Sequence, residues 1–156
     1  MKFVCPLIVV EDIARSRAFY ENTLGMKVKM DFGQNVAFEG DFAIHLKSHF
    51  DSLTGKQGIA PGSKPHNFEL YFESEDLEND YRRLMESGAE VCHDLREQPW
   101  GQRVFRVYDP DGHIVEIGET LEAVVRRYNG EGMTEQEIHA RIGIPLEFIR
   151  DILGTK

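Results

Sequence analysis

His45, Glu69 and Glu116 are polar, metal-ligating residues that each stand between apolar neighbours in a strand-like segment. Side chains of a β-strand alternate between its two faces, so these three point away from the apolar face of their strands. Imidazole and carboxylate groups are suitable ligands for a divalent metal that keeps open coordination positions. The alternative is that all three face solvent on an antiparallel sheet, which the alternation alone also allows.

The elements that carry these residues follow a pattern that occurs twice. Each copy consists of a strand, a helix and three strands, and the helices end at Gly25 and Gly88. A repeat of this size indicates one architectural unit used twice. We therefore predict an α+β fold of two βαβββ modules, at about residues 1–48 and 66–118, with a Gly- and Pro-rich linker at 49–65. The predicted strands are 3–10, 26–30, 35–39, 42–47, 67–73, 90–95, 104–108 and 114–118.

Cys5 enters the candidate set through this repeat. Cys5 and Glu69 lie on the first strand of their modules, and His45 and Glu116 lie on the last. The four side chains converge if the modules pack about a pseudo-twofold axis. A thiolate can ligate a borderline metal, but cysteine is also a common small buried residue in a strand.

Residues 119–156 are predicted to form a helical C-terminal extension. Thr134 and Glu137 have the spacing of a capping box, and Pro145 separates the last two helices. The segment resembles the first part of a helix-turn-helix, but its second helix offers Arg150 among acidic residues and lacks a basic face. We expect these helices to pack on the sheet or on a partner chain.

Composition excludes several classes of function. A net charge of −9 opposes binding to nucleic acid or anionic lipid. No apolar run has the length of a membrane span, and the N-terminus lacks the pattern of a signal peptide. We predict a cytoplasmic protein whose two cysteines are free thiols.

Three segments together resemble the vicinal-oxygen-chelate superfamily, which comprises glyoxalases, bleomycin-resistance proteins and extradiol dioxygenases. They are residues 8–12 with Ser16, residues 19–25, and the turn and strand at 109–116. The resemblance covers about residues 1–118. It implies that the two modules form a cup-shaped, mostly antiparallel sheet around a small-molecule site.

The resemblance also implies a metal site. Its four ligand positions match Cys5, His45, Glu69 and Glu116, although histidine is usual where Cys5 stands. The expected cofactor is a divalent ion, Zn, Ni, Mn or Fe, which would activate a bidentate oxygen substrate as a Lewis acid. The predicted function is a glyoxalase-like lyase or isomerase with Glu116 as the general base. An extradiol dioxygenase is a further alternative, which would require more histidines at these positions.

The competing prediction is a metal-free ligand-binding protein of the bleomycin-resistance type. Phe38, Tyr71, Trp100 and Phe105 would line its groove, and Arg103 would contact an anionic group or lie on the surface. In either case the partner is a small molecule. The modules would pair within one chain or between two chains, and we expect a homodimer.

Overall fold

The computed structural model describes residues 4–55, 58, 63–64 and 68–155. The chain forms two compact units, which are described separately: unit 1 comprises residues 1–68 and 108–114, and unit 2 comprises residues 69–107 and 115–156. The strands are β1 (Leu7–Val10), β2 (Val28–Asp31), β3 (Asn35–Phe38), β4 (Phe42–Leu46), β5 (Glu69–Ser74), β6 (Glu90–Glu97), β7 (Arg103–Tyr108) and β8 (Ile114–Glu119). The α-helices are α1 (Ile13–Ala18), α2 (Lys47–Thr54), α3 (Leu77–Glu86), α4 (Leu121–Gly130), α5 (Glu135–Ile142) and α6 (Leu146–Leu153).

The sheet of unit 1 has the strand order β1-β4-β3-β2. β1 pairs with β4 in parallel, and the other two pairings are antiparallel. Gly40 and Asp41 connect β3 to β4 with φ values of 91° and 59°. Both lie in the left-handed region that tight hairpin turns require, and glycine and aspartate tolerate it better than most residues.

Helix α1 and a π-helical turn at Phe19–Thr23 cover one face of this sheet. α1 begins after Asp12, whose side chain accepts a hydrogen bond from the Arg15 backbone N–H as an N-cap does. The apolar residues of the covered face are buried, and Tyr20, Phe38 and Phe42 pack ring against ring at 5.0–5.6 Å between centroids. This aromatic cluster forms the core of unit 1.

The β7–β8 turn at residues 109–112 completes the core of unit 1. Asp109 and Asp111 are buried, at 4% and 3% exposure, so each carboxylate needs partners. The Tyr20 hydroxyl donates to Asp109 at 2.9 Å, and the Ser16 hydroxyl donates to Asp111 at 2.8 Å. Arg15 adds an ion pair to Asp111 at 2.7 Å. Hydrogen bonds and an ion pair within unit 1 thus account for the burial of both aspartates of the turn.

The sheet of unit 2 has the equivalent order β5-β8-β7-β6. Leu70 and Phe105 are buried strand residues, as are Leu77 and Leu84 of α3. The ring of Phe105 meets that of Tyr81 edge-on at 5.1 Å. The apolar faces of the sheet and the helix therefore form the core, and the polar side chains of the strands lie on the other face.

Helices α4, α5 and α6 pack around a cluster of buried residues, Val124, Val125, Tyr128, Ile138 and Ile149. Thr134 and Glu137 form the predicted capping box of α5. Gly143 and Gly154 end α5 and α6 with left-handed φ values of 74° and 69°. The predicted helices of the extension are confirmed.

The predicted α+β class and the repeated βαβββ order are confirmed, but the linker prediction is wrong in part. Residues 47–54 form α2, whose turns are held by an ion pair between Lys47 and Asp51 and which ends at Gly55 in the left-handed region. The Gly and Pro residues that suggested a loop lie after this helix. The predicted strands beginning at residues 3 and 67 start outside the described residues; within them, these strands begin at Leu7 and Glu69. No helix in the described part of the chain has the length and apolar character of a membrane span.

Candidate functional site

The polar face of unit 1 is centred on His45 of β4. In the sheet register, His45 lies opposite Val9 of β1 and Asn35 of β3. Its side chain is 8% exposed, and its Nδ1 lies 3.2 Å from Asn35 Nδ2. Its Nε2 lies 2.9 Å from Nδ1 of His49, the third residue of α2. The two imidazoles and the amide form one hydrogen-bonded chain.

The environment of His45 opposes protonation. Burial lowers its pKa below the ordinary 6.5, because it penalises the charged form, and the neighbouring His49 lowers it further. His45 is therefore a neutral imidazole at neutral pH. A neutral ring can donate from one nitrogen and accept, or ligate, through the other.

His49 is a site residue that the sequence analysis did not select. α2 places it half-buried against His45, with ring centroids 5.0 Å apart. The spacing of four residues was a visible signal. It became interpretable only once residues 47–54 proved to be helical, because residues that begin a helix project back toward the preceding turn.

On the polar face of unit 2, a row of charged or polar residues crosses all four strands. In the sheet order β5-β8-β7-β6 these residues are Glu69, Glu116, Arg106 and His93. Arg106 connects all of them: Nε donates to Glu69 at 2.9 Å, Nη2 pairs with Glu116, and Nη1 donates to His93 Nε2 at 2.9 Å. We call these four residues the charged row.

The charged row is electrostatically self-contained. The Glu116 side chain is 7% exposed and that of Arg106 is 20% exposed, whereas that of Glu69 is 42% exposed. A buried carboxylate without a counter-charge is costly, and the guanidinium supplies that charge here. Among the described residues Glu116 Oε2 nevertheless has no hydrogen-bond partner. Sequence reasoning missed Arg106, although it stands between buried residues of β7 just as Glu116 does in β8.

These contacts compete with metal binding at the predicted ligand positions. The carboxylates of Glu69 and Glu116 are engaged by a permanently charged guanidinium, which a metal ion would have to displace. His45 Nε2 is engaged by His49. Within either unit, the described residues contain no group of three His, Cys, Asp or Glu side chains close enough to hold a metal ion.

Cys5 precedes β1 by two residues, whereas His45 is the fourth residue of β4. Val9 is the register partner of His45, and Cys5 precedes Val9 by four residues, or about 13 Å along a strand. Two ligands of one ion lie within about 4 Å of each other at their donor atoms. Within unit 1, Cys5 and His45 are therefore not brought to a common ion.

Beside the charged row lies a second group of polar and aromatic residues. The Gln102 amide donates to the Tyr71 hydroxyl at 2.8 Å, and Trp100 Nε1 donates to Gln102 at 3.1 Å. Gly118 lets these side chains approach, because a Cβ there would lie 3.0 Å from Gln102 Nε2 and 3.2 Å from Tyr71 Cε2. Tyr71 and Trp100 remain 47% and 51% exposed, so both rings are available to a ligand. We call these four residues the aromatic patch.

Three other predicted binding residues have structural roles. Phe38 and Phe105 are fully buried in the cores of units 1 and 2, so their assignment to a groove is wrong. Both occupy the apolar face of their strands, opposite to the polar residues. Arg103 pairs with Glu119 at 2.6 Å and with Glu78 at 2.5 Å, and its charge is thereby compensated within unit 2.

Glu119 connects the sheet to the C-terminal helices. Its buried carboxylate accepts from Nε of Arg103 at 2.7 Å and from Nε of Arg127 at 3.1 Å. Burial tends to raise the pKa of Glu119, but the hydrogen bonds from Arg127 and Arg103 outweigh it and lower that pKa. These arginines hold the helices in place and are not free to bind a ligand.

Comparison with known proteins agrees with this architecture. The Glyoxalase-like domain family matches residues 3–122, and the chain belongs to that family. A crystal structure of a protein of unknown function from Agrobacterium tumefaciens strain C58 is 43% identical, with a TM-score of 0.70, and covers 78% of this chain and 95% of its own.

Two further relatives carry functional names. A lactoylglutathione lyase from Salmonella typhimurium is 27% identical over 145 residues, covering 79% of this chain and 96% of its own. The fosfomycin resistance protein FosX from Listeria monocytogenes, solved with Mn(II) and sulfate, is 18% identical with a TM-score of 0.60 and covers 81% of this chain and 97% of its own. The FosX likeness concerns the fold.

Proposed function

We propose that this chain is a small-molecule-binding protein of the glyoxalase-like family that works without a metal ion at the predicted ligand positions. The observation that carries the proposal is the contact of Arg106 with both Glu69 and Glu116. A divalent cation and a guanidinium would serve the same electrostatic purpose there, since each compensates two carboxylates. The proposal is therefore the metal-free alternative, a ligand-binding protein of the bleomycin-resistance type.

The ligand best matched to unit 2 is an aromatic or cationic organic molecule. The charged row contains two carboxylates and one guanidinium, so its carboxylates outnumber its permanent cation by one. His93 Nε2 lies 2.9 Å from Arg106 Nη1, and its Nδ1 lies 2.9 Å from the Asp94 carbonyl oxygen. The exposed rings of Tyr71 and Trp100 add surfaces for stacking or cation–π contact.

A binding screen with matched variants tests this proposal. Calorimetry with bleomycin and a panel of smaller aromatic cations would compare the wild type with Glu69→Gln and Trp100→Ala. Glu69 is the exposed member of the row, so neutralising it spares the fold and should weaken a cationic ligand about fivefold, as expected for roughly 1 kcal/mol. Trp100→Ala should have a similar effect through lost stacking.

Glu86→Gln serves as the control, because Glu86 is an exposed carboxylate on α3. It removes the same charge from the protein without touching the charged row. Equal weakening by Glu69→Gln and Glu86→Gln would show that only net charge matters. That result, or no binding of any aromatic cation, would contradict the proposal.

A metal-dependent lyase or isomerase is the second candidate. In that case His45, Glu69 and Glu116 would hold the ion, which would supply Lewis-acid activation of a bidentate oxygen substrate, and Glu116 would be the general base. Two observations favour it: the imidazole of His45 is held neutral, and one relative is named a lactoylglutathione lyase. A stoichiometric divalent ion lost on His45→Gln would establish this candidate in place of the first.

A further inference from the structure

We propose that Asn35, His45 and His49 form a directional chain of hydrogen bonds that presents the Nε2–H of His49 to an oxygen atom of the ligand. This inference goes beyond the proposed binding function, because it assigns a hydrogen-bond donor for a carbonyl, carboxylate or enolate oxygen. All of its contacts lie within unit 1. It therefore does not depend on the charged row of unit 2.

The direction of the chain is set at Asn35. Its amide nitrogen, Nδ2, faces His45 Nδ1 at 3.2 Å. An amide nitrogen donates and does not accept, so His45 Nδ1 must be the acceptor. The proton of neutral His45 consequently lies on Nε2.

The next contact follows from the first. His45 Nε2 faces His49 Nδ1 at 2.9 Å, and because Nε2 carries the proton it donates to His49. The rings meet nearly head-on, with centroids 5.0 Å apart and planes inclined by 28°, which suits an N–H···N hydrogen bond. His49 Nδ1 is thus an acceptor, and the N–H of that ring lies on Nε2.

The last nitrogen of the hydrogen-bonded chain, His49 Nε2, is held in position and remains available to a ligand. Among the described residues, none accepts a hydrogen bond from His49 Nε2, and the ring is half-buried. The position of His49 is fixed by α2, whose Lys47 and Asp51 form an ion pair across the turn that contains it. Phe50 meets the ring of His45 edge-on, with centroids 5.7 Å apart.

Such a donor has a defined chemical use. A preorganised N–H binds an oxygen atom and stabilises negative charge that develops on that oxygen. The expected ligand therefore has a carbonyl or carboxylate oxygen that reaches unit 1. In this scheme His49 touches the ligand, and Asn35 and His45 are positioning residues.

The first test is the tautomeric state of both rings, measured by long-range proton–nitrogen NMR on the full-length protein at neutral pH. His45→Gln and His49→Gln assign the signals. The inference predicts an unprotonated Nδ1 and a protonated Nε2 in both rings. A proton on Nδ1 of either ring in the wild type overturns it.

A reversal experiment separates this role from a merely structural one. Asn35→Asp replaces the donor by an acceptor. The carboxylate should then accept a hydrogen bond from His45 Nδ1–H, so that the proton of the His45 ring moves from Nε2 to Nδ1. Asn129→Asp adds the same charge at an exposed position of α4 and should leave both tautomers unchanged. An unaltered His45 tautomer in Asn35→Asp, with the protein folded, would refute the directional chain.

The second test addresses the oxygen ligand. Acetate and pyruvate serve as probes, titrated while the His49 Nε2–H signal is followed. A saturable downfield shift is expected in the wild type, with at least a tenfold loss of affinity in His49→Gln. No saturable change up to the solubility of the probes overturns the assignment of His49 as an oxygen donor. Binding of bleomycin and aromatic cations to unit 2 is measured in a separate titration. Failure of the His49 proposal can therefore be told apart from failure of the proposed binding function.

Discussion

Replacing Arg106 by methionine removes the guanidinium that pairs with Glu116 and Glu69, while keeping a long apolar stem across β7. Glu116 dominates the expected loss, because its side chain is 7% exposed and cannot be rescued by water. Removing one partner of a buried ion pair costs about 3–5 kcal/mol. Arg106 is itself 20% exposed, so the lower end of that range, about 3 kcal/mol, applies.

The Glu69 contact adds little, because that carboxylate is 42% exposed and surface ion pairs contribute about 0–1 kcal/mol. The free energy of unfolding, measured by urea titration with circular dichroism, should therefore fall by about 3 kcal/mol in Arg106→Met. Adding Glu116→Gln should recover most of that loss, since the buried charge is then gone. Adding Glu69→Gln should recover almost none.

This double-mutant comparison also contains its refutation. If Arg106→Met lies within about 0.5 kcal/mol of the wild type, Arg106 is not the partner of a buried charge. If Glu69→Gln rescues the variant as well as Glu116→Gln does, the exposure of the two carboxylates does not govern the energetics, and the reasoning fails.

Three further predictions concern stability. His45→Gln should flatten the loss of stability below pH 6.5, because the lowered pKa of His45 makes the unfolded chain bind the proton first as the pH falls; parallel pH profiles of variant and wild type would contradict this. Ser16→Ala should lower the free energy of unfolding by about 1.5–3 kcal/mol, since the buried Asp111 loses a charge-assisted hydrogen bond, and an unchanged urea midpoint would argue against it. Glu119→Gln should lower the free energy of unfolding by about 3 kcal/mol and loosen the helical extension, detected as faster amide exchange in α4. The folded pKa of Glu119 is lowered, so the wild type loses stability as acid protonates this carboxylate, and the variant should lack that part of the acid-induced loss.

Much of the fold could be predicted because local rules govern it. Apolar residues alternate along the strands, and Asp12, Thr134 and the helix-ending glycines mark helix boundaries. α2 escaped prediction because its helix is short and polar and precedes a Gly- and Pro-rich stretch. The helix is stabilised by contacts between its own residues, such as the ion pair between Lys47 and Asp51. Helix propensity alone does not reveal these contacts.

The candidate site was harder to predict because its contacts connect strands that are distant in the sequence. Alternation correctly placed Glu69 and Glu116 on the polar face, but it cannot say which side chain lies beside them. Arg106 is 37 residues from Glu69 and meets it only through the order of strands in the sheet. Phe38 and Phe105 were assigned to a groove by residue type, whereas strand alternation would have assigned them to the core.

The most direct test of the central claim is the metal content of the purified, untagged protein, by elemental analysis before and after chelation and reconstitution with Zn, Ni, Mn and Fe(II). We expect the wild type to hold far less than one divalent ion per chain, because Arg106 already pairs with Glu69 and Glu116. We further expect measurable uptake in Arg106→Ala, where both carboxylates are released. Retention of about one ion per chain by the wild type, abolished by Glu116→Gln, would contradict the account and return the metal-dependent lyase to first place.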